Sequence, residues 1–405
     1  MRSTRLPWAA SGARRVVLQA MDQVAAGQIR LVDGQLDHTW GEARDEPVTI
    51  HVYDPRAYSS ILFGGAVGAA EAYMAGYWHT EDLTRLLRVL LQNRTAIDAM
   101  NAGASTLKRL GYRLYHFLRR DTIAGSRRNI VAHYDLGNDF FKLFLDETMM
   151  YSAGYFGHEQ NSMAEASRQK IDVICQKLAL TPSDHVLEIG TGWGGFAVQA
   201  AEDYGCRVTT TTISDEQYAY AVAEVQRRGL EDRVTVLRQD YRLLEGSYDK
   251  LVSIEMIEAV GLSNLPTFFN VCSRLLKDGG TMLLQSITIA DQRYDMASRS
   301  VDFIQRYIFP GGALPSVTAL ADTSSRASDL RIYALEDITS HYARTIENWR
   351  AKFQENMGAV REMNFNDNFI RMWWYYLCYC EAGFRERAIG CVHVQLHKPG
   401  VGEAI

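Results

Sequence analysis

Two carboxylates interrupt the end of one apolar run, Leu251-Val252-Ser253-Ile254-Glu255-Met256-Ile257-Glu258-Ala259-Val260-Gly261. Charged side chains avoid the mouth of a buried strand unless they are paired, so Glu255 and Glu258 are the strongest local hint of chemistry. A second cluster spans Val186 to Phe196, where Val-Leu-Glu-Ile leads into Gly190-Thr191-Gly192-Trp193-Gly194-Gly195 and then a helical pattern through Ala197, Val198, Ala200 and Ala201. This predicts a buried strand, a tight turn and a helix start, with glycines where a ligand must approach the backbone. A plain strand–turn–helix corner has the same spacing, and Glu188 separates the two readings. A carboxylate would repel a pyrophosphate seated at the helix N-terminus. It suits a ligand carrying positive charge, such as the amino and sulfonium groups of S-adenosylmethionine.

In an open α/β sheet, ligands sit beyond the carboxyl ends of the strands. One such end is Thr212-Ile213, with Ser214 opening a helix. Gln217 there fits either adenosine contact or a capping box with Ser214. Another is Gln239-Asp240-Tyr241-Arg242, where Asp240 can accept from an adenine amino group and Tyr241 can stack. Asp240 as an ordinary turn residue is the competing reading.

The elements that must position these groups alternate regularly. Strands are predicted near Val186 and at Cys206–Ile213, Arg233–Asp240, Asp249–Met256, Gly280–Ile289, Arg331–Ile338 and Cys391–His397. Helices are predicted at Ala164–Leu180, Ser214–Arg228, Leu262–Leu276, Ser316–Ser328 and from Asn348 onward. The pattern is a seven-stranded doubly wound α/β sheet. The span from Ala290 to Pro315 is too long for a simple connection and too aromatic for a disordered one, which predicts a lid or substrate wall. Residues 1–128 read instead as a smaller, mainly helical domain with a minor sheet, containing strand-like pieces at Ile29–Val32 and Val48–Tyr53. A small-residue segment at Ala69–Ala75 and an amphipathic helix at Asp82–Leu91 follow. Residues 129–405 form the second domain.

The chain has 405 residues, 47% hydrophobic and 22% charged, with a net charge of −5. That supports ample core and gives no reason to expect a nucleic-acid partner. Six cysteines lack zinc or thioredoxin spacing, no metal site is expected, and a reducing cytoplasm fits. No run approaches the ~20 apolar residues of a membrane span. Ser105 to Ile130 departs from the acidic average, setting Lys108, Arg109, Arg113, Arg119, Arg120, Arg127 and Arg128 against Asp121 as the only acid, with leucines and aromatics interleaved. Such a stretch fits a helix lying on an anionic membrane surface, or an interdomain helix with solvated cations. From Asn129 to Phe156 aromatics crowd around His, Asp and Asn, as in a functional loop or an aromatic core.

The stretches His133-Tyr134-Asp135-Leu136, Tyr151-Ser152, Asp240-Tyr241-Arg242, Ser253 to Gly261, Tyr307 to Gly312, Leu314-Pro315-Ser316, His341-Tyr342 and Tyr375 to Cys380 resemble the cyclopropane fatty acid synthase and mycolic acid cyclopropane synthase family. The resemblance covers roughly Asn129 to Lys398 in consistent order. It implies a class I methyltransferase sheet, S-adenosylmethionine as donor and a cis double bond of a phospholipid acyl chain as acceptor. Methyl delivery leaves a carbocation, and a base then removes a methyl proton so that a ring closes. The family holds a bicarbonate for this step. By resemblance Glu258 orients that bicarbonate, Tyr342 donates to it and Cys380 lies near it. Tyr151, Ser152, Glu188, Gly190, Gly192, Thr212, Ile213, Gln217, Asp240 and Tyr241 match the donor seat. A glutamate beside an anionic base must hold a proton, so Glu258 is expected to have a raised pKa.

Three positions depart from the best-known members. Ala153 replaces a cysteine, although its backbone N–H can still serve. Ala259 replaces a histidine. Gln285 replaces the bicarbonate-binding histidine, and can donate a hydrogen bond but not titrate. Gln285, with Ile289, Asp291, Arg293, Tyr294 and the run from Tyr307 to Ser316, is similar to the branch containing plant cyclopropane synthases. The resemblance further implies a homodimer through the leading domain and a cytoplasmic protein peripheral to the inner face of the membrane. Three alternatives stay open: a relative producing methylene- or methyl-branched chains, a small-molecule N-methyltransferase, and a lipid-binding relative that has lost its chemistry.

Overall fold

The structure, a computed structural model, describes residues 8–42, 46–94 and 136–400. It divides into two compact units. One gathers the described residues of Met1–Tyr115 with Ser300–Ile308 and Met357–Ala388, and the other holds His116–Arg299, Phe309–Asn356 and Ile389–Ile405. The basic stretch from Ser105 to Ile130 and the motif residues His133, Tyr134 and Asp135 lie outside the described residues.

The first unit opens with α1 (Trp8–Met21), then a small sheet of β1 (Gln28–Val32), β2 (Asp37–Gly41), β3 (Val48–Val52) and β4 (Trp78–His79) in the order β2-β1-β3-β4. The expected small-residue helix is longer than its sequence suggested, running from Arg56 to Met74 as α2. It breaks at Gly65, whose φ of 58° leaves the helical region. The break sets the carbonyl of Ser60 where a Cβ on Gly68 would come within 1.9 Å, so only glycine fits there. α3 (Leu83–Gln92) is capped by Asp82 and buries Leu83, Leu86, Leu87 and Val89, one stripe of an amphipathic helix.

The second unit is built on seven strands: β5 (His185–Ile189), β6 (Arg207–Thr212), β7 (Val234–Arg238), β8 (Tyr248–Ile254), β9 (Leu276–Ile289), β10 (Arg331–Asp337) and β11 (Ile389–His397). Their order is β10-β11-β9-β8-β5-β6-β7, with β11 antiparallel to both neighbours and the other pairings parallel. All seven strands coincide with those predicted, to within a few residues. Chain order reverses between β5 and β8, which makes their carboxyl ends the crevice where such sheets take ligands. Helices cover the sheet: α4 (Met163–Lys177), α5 (Gly195–Tyr204), α6 (Asp215–Arg228), α7 (Leu265–Leu275), α8 (Val317–Ala327) and α9 (Thr339–Glu355). α9 starts nine residues before the expected Asn348, so Tyr342 lies in its first turns. The long central strands carry continuous apolar runs because both faces are covered: Leu187, Ile189, Leu251, Met282 and Leu284 join one core, and Val186, Val252 and Leu283 the other.

Two segments expected within the second domain cluster with the first unit instead. α10 (Asp367–Arg385) buries Ile370, Trp373, Tyr376, Leu377 and Phe384, and packs on α2 and α3. Arg371 Nε donates to the carbonyl of Tyr73 at 2.6 Å, and the Arg371 guanidinium lies 4.2 Å above the Tyr73 ring. Residues 300–308 follow, with Phe303 against Tyr375 at 4.8 Å and Tyr307 Oη donating to Glu71 at 2.6 Å. The span read as one lid is therefore divided, since Phe309 onward returns to the sheet unit. An apolar helix face records that it must be buried, but not against which partner.

Candidate active site

The glycine turn is tied to its neighbours on both sides. The N–H groups of Gly190 and Thr191 both donate to the carbonyl of Thr211 on β6, at 3.1 and 3.0 Å. Gly190 has a φ of 104°, and a Cβ there would sit 3.0 Å from Cβ of Met256, so the turn closes directly onto the segment between the two carboxylates. Ser253 Oγ locks the strands by donating to the carbonyl of Ile189 at 3.0 Å.

On the β6–β7 side the residues expected to seat the donor are held by local hydrogen bonds. Thr212 Oγ1 donates to Gln217 Oε1 at 2.9 Å, and Ser214 Oγ accepts from the backbone N–H of Gln217 at 3.3 Å. Ser214 thus caps α6 through the Gln217 N–H, and the Gln217 side chain meets Thr212. Ile213 is half-buried between them. Asp240 behaves as the turn residue of the competing reading: it accepts from the Arg242 N–H at 3.0 Å and from that residue's guanidinium at 2.8 and 2.6 Å. Tyr241 is buried in the core with its ring 5.8 Å from that of Phe268. Glu188 is nearly buried and accepts from Thr210 Oγ1 at 2.6 Å. Burial pushes its pKa up to about 8, so at neutral pH its pull on a cation is weaker than its place in the sequence implied.

On the β8–β9–β11 side the site is made of buried charge. Glu255 follows β8 with a φ of 50°, a left-handed conformation that costs a non-glycine residue roughly 1 kcal/mol or more. Its Oε1 accepts from the N–H of Ala153 at 2.9 Å and from Gln285 Nε2 at 2.6 Å. Its Oε2 accepts from Tyr342 Oη at 2.6 Å. Strand register explains the meeting: Gln285 pairs with Ile254 on β8 and with His393 on β11. The Gln285 oxygen lies 2.9 Å from His393 Nε2, whose Nδ1 faces the Lys177 ammonium at 2.6 Å. The ammonium can only donate, so His393 carries its proton on Nε2, and the Gln285 amide must present its NH2 to Glu255. Burial pushes His393 down to about 2, which keeps it neutral.

Lys170 on α4 is fully buried and donates to Ser152 Oγ at 2.7 Å. Burial lowers its pKa to about 8, with the charges of Glu255 and Glu188 opposing the drop, so it stays a cation at neutral pH. Glu258 accepts from the N–H of Ile287 at 2.5 Å and from Ser286 Oγ at 3.0 Å, while its Oε2 is buried with no hydrogen-bond partner among the described residues. Burial first, then the charge of Glu255, raises it to about 8, the direction expected from the sequence. Burial also raises Glu255, but the hydrogen bonds of Tyr342, Ala153 and Gln285 and the charge of Lys170 all favour its ionised form. The two acids are therefore set apart: three donors favour the ionised form of Glu255, while Glu258, with its Oε2 unpartnered among the described residues, is the one more readily kept protonated.

Aromatic rings wall the neighbourhood. Tyr151 lies 5.2 Å from Trp349 and 6.4 Å from Phe309, and Trp349 lies 6.3 Å from Tyr342. Phe141 and Phe144 close on Tyr151 from behind. Such faces favour a cation and exclude water.

The structure thus brings Ala153, Gln285 and Tyr342 together on Glu255, with Glu258 held beside them by Ile287 and Ser286. Cys380 belongs to α10 and clusters with the other unit, and the thiol 3.9 Å from Glu255 Oε1 is that of Cys391. Sequence reading missed Lys170, His393 and Cys391. The signal for Lys170 was present, because it falls on the same helical stripe as Ile171 and Ile174.

Sheet order, glycine turn and switch-point crevice define a class I S-adenosylmethionine-dependent methyltransferase. The family model described as mycolic acid cyclopropane synthetase matches residues 122–394, and the chain belongs to that family. It is 38% identical over 339 residues to tuberculostearic acid methyltransferase UfaA1 of Mycobacterium tuberculosis, covering 79% of this chain and 76% of that protein. It is 36% identical over 353 residues to cyclopropane-fatty-acyl-phospholipid synthase of Escherichia coli K12, covering 85% and 86%. The solved structure of mycolic acid cyclopropane synthase CmaA1 with SAH and CTAB superposes with a TM-score of 0.63 at 31% identity, covering 67% of this chain and 98% of that one. The protein is an S-adenosylmethionine-dependent C-methyltransferase. Among the described residues no helix is long and apolar enough to cross a membrane, and no group of side chains could hold a metal ion.

Proposed function

We propose that this enzyme transfers the methyl group of S-adenosylmethionine to a cis double bond in an acyl chain of an unsaturated phospholipid, and closes a cyclopropane ring. The observation that carries the reading is the buried Glu255 carboxyl with its three donors beside an aromatic wall, at the switch point that also holds the glycine turn. An alkene is a weak nucleophile, so donor and acceptor must be held in contact in a dry site. Gly190, Gly192, Glu188, Tyr151, Ser152, Thr212, Ile213, Gln217, Asp240 and Tyr241 frame the donor seat. Tyr151, Trp349 and Phe309 shield the cation that methyl transfer leaves on the chain.

The relative named a tuberculostearic acid methyltransferase favours a second reading, in which the same cation ends as a methylene- or methyl-branched chain. The test is incubation with vesicles of a defined cis-unsaturated phospholipid and methyl-labelled S-adenosylmethionine, followed by NMR of the lipid. Ring methylene protons support the first reading, an exocyclic methylene or branch methyl the second, and labelled lipid of neither kind contradicts both. The basic stretch bears on delivery of the lipid. If it meets an anionic membrane surface, reversing the charges of Arg119 and Arg120 weakens vesicle binding at low salt and much less at high salt. The homodimer and the inner-face location implied by resemblance belong to the same proposal, and sedimentation and fractionation test them.

A further inference from the structure

We propose that the Glu255 carboxylate is itself the base that takes the methyl proton, standing where the family's bicarbonate would stand, so that this enzyme turns over without bicarbonate. The assignment rests on the function proposed above and names the proton acceptor within that site.

The geometry is that of a substitution. The three groups that resemblance gave to a bicarbonate, the N–H at position 153, the side chain of residue 285 and the hydroxyl of Tyr342, all end on the two oxygens of Glu255, at 2.9, 2.6 and 2.6 Å. The N–H and the phenol each have one hydrogen to give, and both are given. The Gln285 NH2 is aimed by the contact of its oxygen with His393, so it cannot turn away without leaving that ring nitrogen unpaired. A bicarbonate brought to these donors would also set a second anion against a buried carboxylate, an arrangement that forces one of the two to take up a proton. The residues present do not fit the ion.

Other features fit a working group better than a packing one. The left-handed backbone of Glu255 is a local cost retained at the end of a buried strand, the kind of strain found at active sites. Lys170, fully buried, supplies the compensating positive charge. The step balances. The π electrons of the double bond form the bond to the methyl carbon, and the carbon–sulfur bond breaks with its electrons left on sulfur, giving neutral S-adenosylhomocysteine and a carbocation. Glu255 then takes one methyl proton, and the released carbon–hydrogen pair closes the ring onto the cationic carbon. The carboxylic acid so formed returns its proton to solvent before the next turnover.

The experiment compares methyl transfer into cis-unsaturated phospholipid vesicles in buffer purged of carbon dioxide and in buffer with added bicarbonate, for the wild type, Glu255→Gly and Glu255→Gln. Binding of S-adenosylhomocysteine to each confirms that the variants are folded. The wild type is expected to keep its rate within about twofold on purging. Glu255→Gly should lose roughly 100-fold or more, the scale of a general base, and regain turnover with bicarbonate once the site is opened. Glu255→Gln should be slow in both buffers. A wild-type rate that collapses on purging and returns with bicarbonate overturns this assignment alone, as does a Glu255→Gln variant at the wild-type rate. No labelled lipid from the wild type in either buffer overturns both the assignment and the function it rests on.

Discussion

The two halves of the sheet's carboxyl edge are held by different physics. On the β6–β7 side the contacts are short in sequence: Thr212 with Gln217, Ser214 with the N-terminus of α6, Asp240 with Arg242 two residues on. Each satisfies a turn or a helix end. On the β8–β9–β11 side two carboxyl groups and a lysine lie buried together, in a set formed by Ala153, Lys170, Glu255, Glu258, Gln285 and Tyr342. Apart from Glu255 and Glu258, these residues come from separate segments of the chain. The difference teaches that donor seats of this kind are local structures, whereas a base site is a tertiary one whose charges are stable only as a set.

The sharpest way to break that set is to remove its cation. Lys170→Met should cost about 1.5–3 kcal/mol of stability by denaturant unfolding, because it removes a charged hydrogen bond to Ser152 and the buried cation that offsets the charges of Glu255 and Glu188. In the surviving fraction the acid limb of the pH–rate profile should move to higher pH, since the Lys170 charge lowers the pKa of Glu255. Unchanged stability would mean that Lys170 is not compensating a charge.

Tyr342→Phe removes one hydrogen bond to the anion, worth about 1.5–3 kcal/mol, and should slow turnover roughly 10- to 100-fold with the acid limb again shifted upward. The donor half should respond differently. Thr212→Val removes a neutral hydrogen bond worth about 0.5–1.5 kcal/mol and should weaken donor binding by up to roughly tenfold, with a much smaller change in kcat. If kcat fell instead, the two halves would not be separable.

Glu258 sharpens the contrast most finely. Its pKa is raised from 4.5 to about 8 in the folded state, so unfolding releases its proton between those values and its contribution to stability falls as pH rises through that window. Glu258→Gln keeps the neutral shape and should flatten both that slope in Tm and the loss of activity above about pH 8. Its turnover at neutral pH should fall less than that of Glu255→Gln. A steeper slope in the variant would mean that Glu258 is the ionised member of the pair.

Much of this was legible in the residues. Strand–helix alternation marked all seven strands of the large sheet, because runs such as Leu251 to Ile254 and Met282 to Leu284 must be covered on both faces. The glycine turn and the carboxylate pair marked the crevice. The meeting of Gln285 and Tyr342 on Glu255 was not legible, because it follows from register. Gln285 reaches Glu255 only because it pairs with Ile254 and His393, and no local pattern encodes those pairings. For the same reason Cys380, close in motif, lies on a helix of the other unit, while Cys391, which no motif marked, stands beside the carboxylate. The division of the late chain between two units also escaped, since the apolar face of α10 fits any partner of the right shape.

The most direct test of the central claim is the product that Glu255→Gln makes over a long incubation with a trideuteromethyl donor and cis-unsaturated phospholipid. If Glu255 removes the methyl proton, the variant should still transfer label slowly, but leave it as an intact trideuteromethyl group on uncyclised chains. The wild type should instead yield a ring methylene that has lost one deuteron. A deuterated ring formed by Glu255→Gln at the wild-type rate would contradict the account.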